Sequence, residues 1–182
     1  LGIVLGSRLG HCLFYEPERY LANPIEILYF WKGGLASHGA TVGLFFVVWL
    51  FGRRNKLTFK HTADMFVPAV AFAAGGVRIG NFFNPEIVGR AWDGPWSVIF
   101  ARYDRIMGIE PAIARHPTAL YEVLMGFVTY FILMQLKKRD IRRAGSGFYV
   151  GVFLIFYFGF RFTVEFFKEY QVDNFKNNAA AI

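Results

Sequence analysis

The chain has 182 residues, of which 55% are hydrophobic and 22 are phenylalanine, and its mean hydropathy is positive. That composition argues against a water-facing globule and makes lipid the solvent for much of the chain. The net charge of +7 sits in short basic runs beside apolar stretches, not in a stripe between aromatics, which speaks for membrane topology and against a nucleic-acid partner.

In chain order, the first apolar segment runs from Leu1 to Tyr15 without an initiating Met or a basic leader region. It is expected to be a span cut short on its N-terminal side. Pro24 to Trp31 follows, with aromatics suited to a headgroup region. Leu35 to Phe51 carries no charge and ends at Arg53, Arg54, Lys56 and Lys60. Met65 to Phe83 comes next, then Pro117 to Leu136, which ends in the basic run from Lys137 to Arg143, and finally Gly147 to Phe167. Since roughly 20 apolar residues cross a bilayer core, the pattern predicts an all-α polytopic membrane protein. It would have about five transmembrane helices, one of them truncated, in a single membrane domain over residues 1–182. The positive-inside rule puts the two basic loops in the cytoplasm and makes 85–116 an external head region. Trp92, Pro95, Trp96 and Phe100 suit a head resting at the outer interface. Small residues predict close helix packing along Ala71 to Gly80 and at Gly39, Ala40 and Gly43.

The topology collects His38, Arg78, Asn81, Tyr157, Arg161 and Glu165 near the outer ends of their spans. Arg78 and Asn81 are three apart, and Tyr157, Arg161 and Glu165 are spaced by four, so each set shares a helix face. An arginine inside a span costs roughly 2.5–3.5 kcal/mol, so each needs a partner or a purpose. Glu165 is the expected partner of Arg161. Two guanidiniums facing one cavity cannot neutralise each other, and their planar forks fit phosphate oxygens. At this depth the anion would be a phospholipid headgroup. His38, within "GGLASHGATVG", can accept a proton near neutral pH. His116, within "RHPTALYE", reads chiefly as the entry to a helix, with Pro117 in its first turn. Arg8 and His11 form a further polar pair expected to extend the cavity, beside Cys12, which reads as an inert buried hydrophobe. That single cysteine leaves no intrachain disulfide, the four histidines are scattered, and no metal or cofactor is expected.

At "RIGNFFNPEIVG", Arg78 to Gly89, the chain resembles the signature of the bacterial prolipoprotein diacylglyceryl transferases, G-R-x-G-N-F-x-N-x-E-x-x-G. "GSRLGHCLFY", "GGLASHGA", "RHPTALYE" and "YFGFRFTVEFF" extend the resemblance over nearly the whole chain. Val77 and Ala40 depart from the family's usual glycines, and both changes leave the polar residues intact. The family's first span, which carries a functional tyrosine, and its last span are expected to lie outside this chain. The resemblance implies transfer of the diacylglyceryl group from phosphatidylglycerol to the lipobox cysteine of a prolipoprotein signal peptide, forming a thioether and releasing glycerol phosphate. It implies catalytic roles for His38, Arg78 and Arg161. It further implies a phosphatidylglycerol site of Arg78, Asn81, Glu86, Gly89, Tyr157 and Glu165, with both glutamates orienting the arginines. A thiol of ordinary pKa, about 8.5, must lose its proton to attack. Either His38 takes that proton or the arginine-lined site lowers the thiol pKa. The place implied is the bacterial cytoplasmic (inner) membrane, multi-pass, with the site toward the outer face. The main alternative is a transporter or channel for an anionic substrate. Binding groups near the midplane and repeated halves, which transporters commonly show, are not what this sequence displays.

Overall fold

A computed structural model describes residues 2–84, 88–140 and 143–169. Helix α1 (Gly2–Phe14) and a short α2 (Pro17–Ala22) lead through 3-10 turns at Pro24–Leu28 and Phe30–Lys32 to α3 (Ser37–Arg54) and α4 (Phe59–Phe83). After α4 come strand β1 (Val98–Ile99), helix α5 (Ala101–Ile106) and strand β2 (Ala114–Arg115). Two long helices follow, α6 (Thr118–Arg139) and α7 (Phe148–Glu165). The all-α polytopic expectation holds. With 25, 22 and 18 residues, α4, α6 and α7 are long and apolar enough to cross a membrane. At most 28% of any of their apolar windows is buried within the chain, so side chains such as Phe131, Ile155, Phe158 and Phe162 face outward, as lipid-facing helices require. The other two expected spans are shorter as apolar helices. Helix α1 has 13 residues, and α3 reaches 18 only by counting Ser37 and His38 at one end and Arg53 and Arg54 at the other.

Helix α4 starts at Phe59, ahead of the expected Met65. Lys60, His61 and Asp64 hid that start from a reading based on hydropathy, but a polar cap signals it. The Thr58 hydroxyl accepts the backbone N–H of His61 at 3.2 Å, satisfying one of the first-turn donors. The turn before it is also built from local rules. Leu57 N–H donates to the Gly52 carbonyl at 2.9 Å and Lys56 takes a left-handed φ of 55°, so α3 ends in a Schellman-type cap with Arg53 and Arg54 at its negative pole.

The chain divides into two compact units, Leu1–Met65 and Phe66–Ile182. In the first, α1 and α3 run antiparallel along a glycine seam, with Gly6 and Gly10 against Gly39, and Gly2 and Gly6 against Gly43. A Cβ at Gly39 would fall onto the Gly6 carbonyl and within 2.9 Å of the Gly10 Cα, so backbones touch where the small residues predict close approach. Buried Arg8 fixes the following loop. Its guanidinium donates to the carbonyls of Ile27 (3.0 Å), Gly33 (2.6 Å) and Glu26 (2.6 Å).

In the second unit α4, α6 and α7 meet around Val67, Ala71, Leu133 and Tyr149. Gly126 lets α6 approach Gly75 and Ala71 of α4, whereas among the described residues nothing lies within 4 Å of where a Cβ of Gly76 or Gly80 would sit. Close packing therefore holds for Gly75 and not, within these residues, for its two neighbours in the motif. The head has its own small core of Val88, Phe100 and Tyr103, with Phe82 from the end of α4 packed on it. Strands β1 and β2 pair antiparallel, Val98 opposite Arg115. Beneath them the fully buried Arg115 donates to Asp104 Oδ1 at 2.9 Å and to Glu169 Oε2 at 2.7 Å, so head and the segment after α7 are joined by one charge network.

Candidate functional site: three cations on one carboxylate

The last turns of α4 and α7 and the first turns of α6 lie together beside the head. Arg78 leaves α4 there, Arg161 leaves α7, and Glu122 leaves α6 to meet both. Arg78 Nε donates to Glu122 Oε2 at 2.7 Å, and Arg161 Nη1 lies 3.5 Å from Oε1. Lys168 Nζ, just past α7, reaches the same Oε1 at 2.9 Å. The Glu122 side chain is 4% exposed, against 24% for Arg78 and 39% for Arg161, so the carboxylate forms the buried base of the cluster and the guanidiniums its open side. Asn81, one turn along α4, completes the Arg78 contact. In the amide orientation that satisfies both of its polar atoms, it accepts from Arg78 Nη1 at 2.8 Å and donates to the Val77 carbonyl at 3.2 Å.

Glu165 is not the partner of Arg161. Its carboxylate is 63% exposed and pairs with Lys168 at 3.1 Å. Spacing by four puts both residues on one helix face, but Glu122 arrives from a different helix and takes the arginine first. The carboxylate that pairs with both arginines is therefore that of Glu122. Charge at the site sums plainly: Arg78, Arg161 and Lys168 against Glu122, with Glu165 at the margin, leave an excess of positive charge. Each guanidinium carries five N–H donors, and a single carboxylate cannot occupy them all, so the arrangement suits a second, multidentate oxyanion.

Tyr157, one turn before Arg161 on α7, is half-buried and stacks on Phe153 with ring centroids 5.2 Å apart. Gly89 lies between two backbone segments: its N–H donates to the His116 carbonyl at 3.2 Å, and it bridges Lys168 on the other side. A Cβ there would strike the His116 backbone and come within 2.9 Å of the Phe167 carbonyl, so only glycine fits. Glu86 lies outside the described residues. His38 is exposed in the first turn of α3 and lines an apolar cavity of about 740 Å³ beside the glycine seam. It belongs to the first unit and the arginines to the second. Arg8 and His11, also in the first unit, line a polar cavity of about 190 Å³ with Glu16 and Arg19. Among the described residues no group of three or more His, Cys, Asp or Glu side chains is placed to hold a metal ion.

A third cavity, of about 410 Å³, opens between α6 and α7 and is lined by Leu124, Val128, Phe160 and Val164 under Trp96 and His116. Its roof is a hydrogen-bonded aromatic chain. Trp96 Nε1 donates to the Tyr121 hydroxyl at 2.9 Å, that hydroxyl shares a hydrogen bond with His116 Nδ1 at 3.0 Å, and the His116 ring stacks on Trp92 at 4.3 Å. Burial, with Arg90 nearby, holds His116 below the ordinary imidazole pKa. Sequence reasoning missed Glu122 and Lys168. The first had a usable signal, since an acid inside an apolar run calls for a partner as much as an arginine does. The second reads only as a basic flank.

The model of the prolipoprotein diacylglyceryl transferase family matches residues 1–181. The chain belongs to that family. It is 42% identical over 172 residues to the phosphatidylglycerol–prolipoprotein diacylglyceryl transferase of Tolumonas auensis, covering 94% of this chain and 64% of that protein. The enzyme of the same name from Methylobacillus flagellatus is 44% identical over 169 residues, covering 93% and 61%. That of Bacteroides fragilis is 40% identical over 191 residues, covering 98% and 66%. The chain thus spans just under two thirds of the length of these relatives. Family membership and the apolar helices together make it a multi-pass membrane protein.

Proposed function

We propose that the protein containing this chain transfers the diacylglyceryl group of phosphatidylglycerol to the lipobox cysteine of prolipoproteins. The observation that carries the reading is the excess-cation cluster of Arg78, Arg161 and Lys168 on Glu122, found in a chain whose relatives are named for that reaction. The anionic transporter or channel gains nothing from those relatives. In the reaction the thiolate sulfur attacks the glyceryl carbon, a C–S bond forms, and the C–O bond to phosphate breaks. The electron pair leaves with glycerol phosphate. Charge grows on the departing phosphate, where fixed guanidiniums stabilise it without reorganising. Arg78 and Arg161 are the catalytic cations and His38 the acceptor of the thiol proton. Asn81, Glu86, Gly89, Tyr157 and Glu165 frame the headgroup site. An acyl chain fits the cavity between α6 and α7, each buried methylene contributing about 0.8 kcal/mol. The chain acts as a single membrane domain in the bacterial inner membrane. Its head, residues 85–116, and its site face outward, because the dense basic loops lie at the opposite helix ends.

The test mixes the full-length protein in detergent with phosphatidylglycerol and a lipobox peptide, following peptide mass and glycerol phosphate release. Both products are expected, and absence of both would sink the reading. Arg78→Ala and Arg161→Ala should each lower the rate by about 10²–10³-fold, the scale of removing an oxyanion donor, while the protein stays folded. Wild-type rates in either variant would make the arginines structural.

A further inference from the structure

Lys168 lies beyond the last apolar residue of α7, where a lysine needs no explanation as a flank. Its environment is not that of a flank. The side chain is 13% exposed and its ammonium bridges Glu122 Oε1 (2.9 Å) and Glu165 Oε2 (3.1 Å). The backbone is held as firmly. Gly89 pairs with Lys168 in a β-bridge, Arg90 Nε donates to the Lys168 carbonyl at 3.2 Å, and Glu169 N–H donates to the Val88 carbonyl at 3.2 Å. Glu169 is then locked through its carboxylate to the fully buried pair Arg115–Asp104. A lysine side chain loses about 2 kcal/mol of rotamer freedom when fixed, and a flank lysine would be left in water instead.

We infer that Lys168 is a third phosphate-binding cation of the site, presented by the head and not by the membrane helices. The inference rests on the transferase reading and names the part of the lipid concerned, the glycerol phosphate group. Its geometry differs from that of the two arginines. Arg78 and Arg161 reach the carboxylate from helices within the bilayer, whereas Lys168 comes from a strand-like segment paired with residues 88–90 of the head. A compact ammonium on such a segment complements the two planar forks as a point charge does. The close fit at Gly89 follows from the same arrangement, because any side chain there would push away Phe167 and, with it, Lys168.

The test uses the full-length protein in detergent with Lys168→Met and Lys168→Arg, measuring steady-state transfer and, separately, equilibrium binding of phosphatidylglycerol in micelles. Lys168→Met should raise the KM for phosphatidylglycerol at least tenfold with the KM for the lipobox peptide within about twofold, and Lys168→Arg should restore most of the loss. Micellar binding should weaken in parallel. Soluble glycerol phosphate should compete for the wild type and far less for Lys168→Met, which separates recognition of the phosphate from recognition of the lipid. An unchanged KM for phosphatidylglycerol, an equal rise in both KM values, or failure of Lys168→Arg to restore binding would overturn the inference. A wild-type protein that binds phosphatidylglycerol through Lys168 yet transfers nothing would keep the site and refute the transferase reading. One that neither binds nor transfers would refute both.

Discussion

Glu122 is the residue on which the cluster depends, because three cations use its two oxygens. Glu122→Gln keeps the shape and removes the charge, leaving the cations to repel one another at a largely buried point. Removing one partner of a buried pair costs about 3–5 kcal/mol, and the partial exposure of the arginines brings the expected loss here to roughly 1–3 kcal/mol. Thermal unfolding in detergent should show the drop, and millimolar sulfate or phosphate should recover part of it, raising the melting temperature of Glu122→Gln by more than that of the wild type. No recovery by either anion would mean that the cations do not share one oxyanion pocket. His116 gives a pH signature of its own. Burial and Arg90 lower its folded-state pKa, so the unfolded chain binds more protons once the pH falls below its ordinary value of 6.5. The stability that neutral His116 contributes is therefore full above that value and lost as the pH drops from it toward the lowered folded pKa. Tryptophan fluorescence should report the change, since the ring lies flat on Trp92, and His116→Gln should flatten the profile between pH 7 and 5.

At the scale of elements, the α1–α3 seam has no side chain to yield at Gly39. Gly39 meets backbone atoms of Gly6 and Gly10, so even Gly39→Ala must part the two helices. Overpacking of this kind costs about 1–3 kcal/mol, and the melting temperature in detergent should fall accordingly. Thr41→Ala, on the same helix with an exposed side chain bonded to its own turn, should change stability by less than about 0.5 kcal/mol. Equal effects of the two substitutions would mean that the seam is not a close backbone contact in solution.

For the whole molecule, what could be read from the sequence followed from distance along the chain. The helices α4, α6 and α7 announce themselves by long apolar runs, and Arg78 and Arg161 by the expense of placing charge in those runs. Asn81 was legible because it is one turn from Arg78. The pairing of Arg161 was misread because helical periodicity relates a residue only to its own helix, and it offered Glu165 while the true partner sat 39 residues back in α6. Lys168 escaped for a related reason, and Gly89 entered only through the family resemblance. A bridge between two segments one or two residues long has no period to detect, and the glycine's role appears only when His116 and Phe167 are seen on either side of it. Glycines gave half their meaning in sequence. A run of small residues marks a surface that can be approached, and the fold decides which of them is.

The sharing of one carboxylate among helices that arrive at different times constrains how the protein is made. Arg78 emerges from the ribosome 44 residues ahead of Glu122, the difference between 122 and 78. At roughly 5–20 residues per second that is about 2–9 s during which α4 holds an arginine whose partner has not been synthesised. Over that interval the guanidinium has to rest near the headgroups, reached by its own long stem, and α4 can settle to its final depth only when α6 brings the acid. Insertion of the second unit is thus a timed assembly, in which the charge of Arg78 decides when the helices come together.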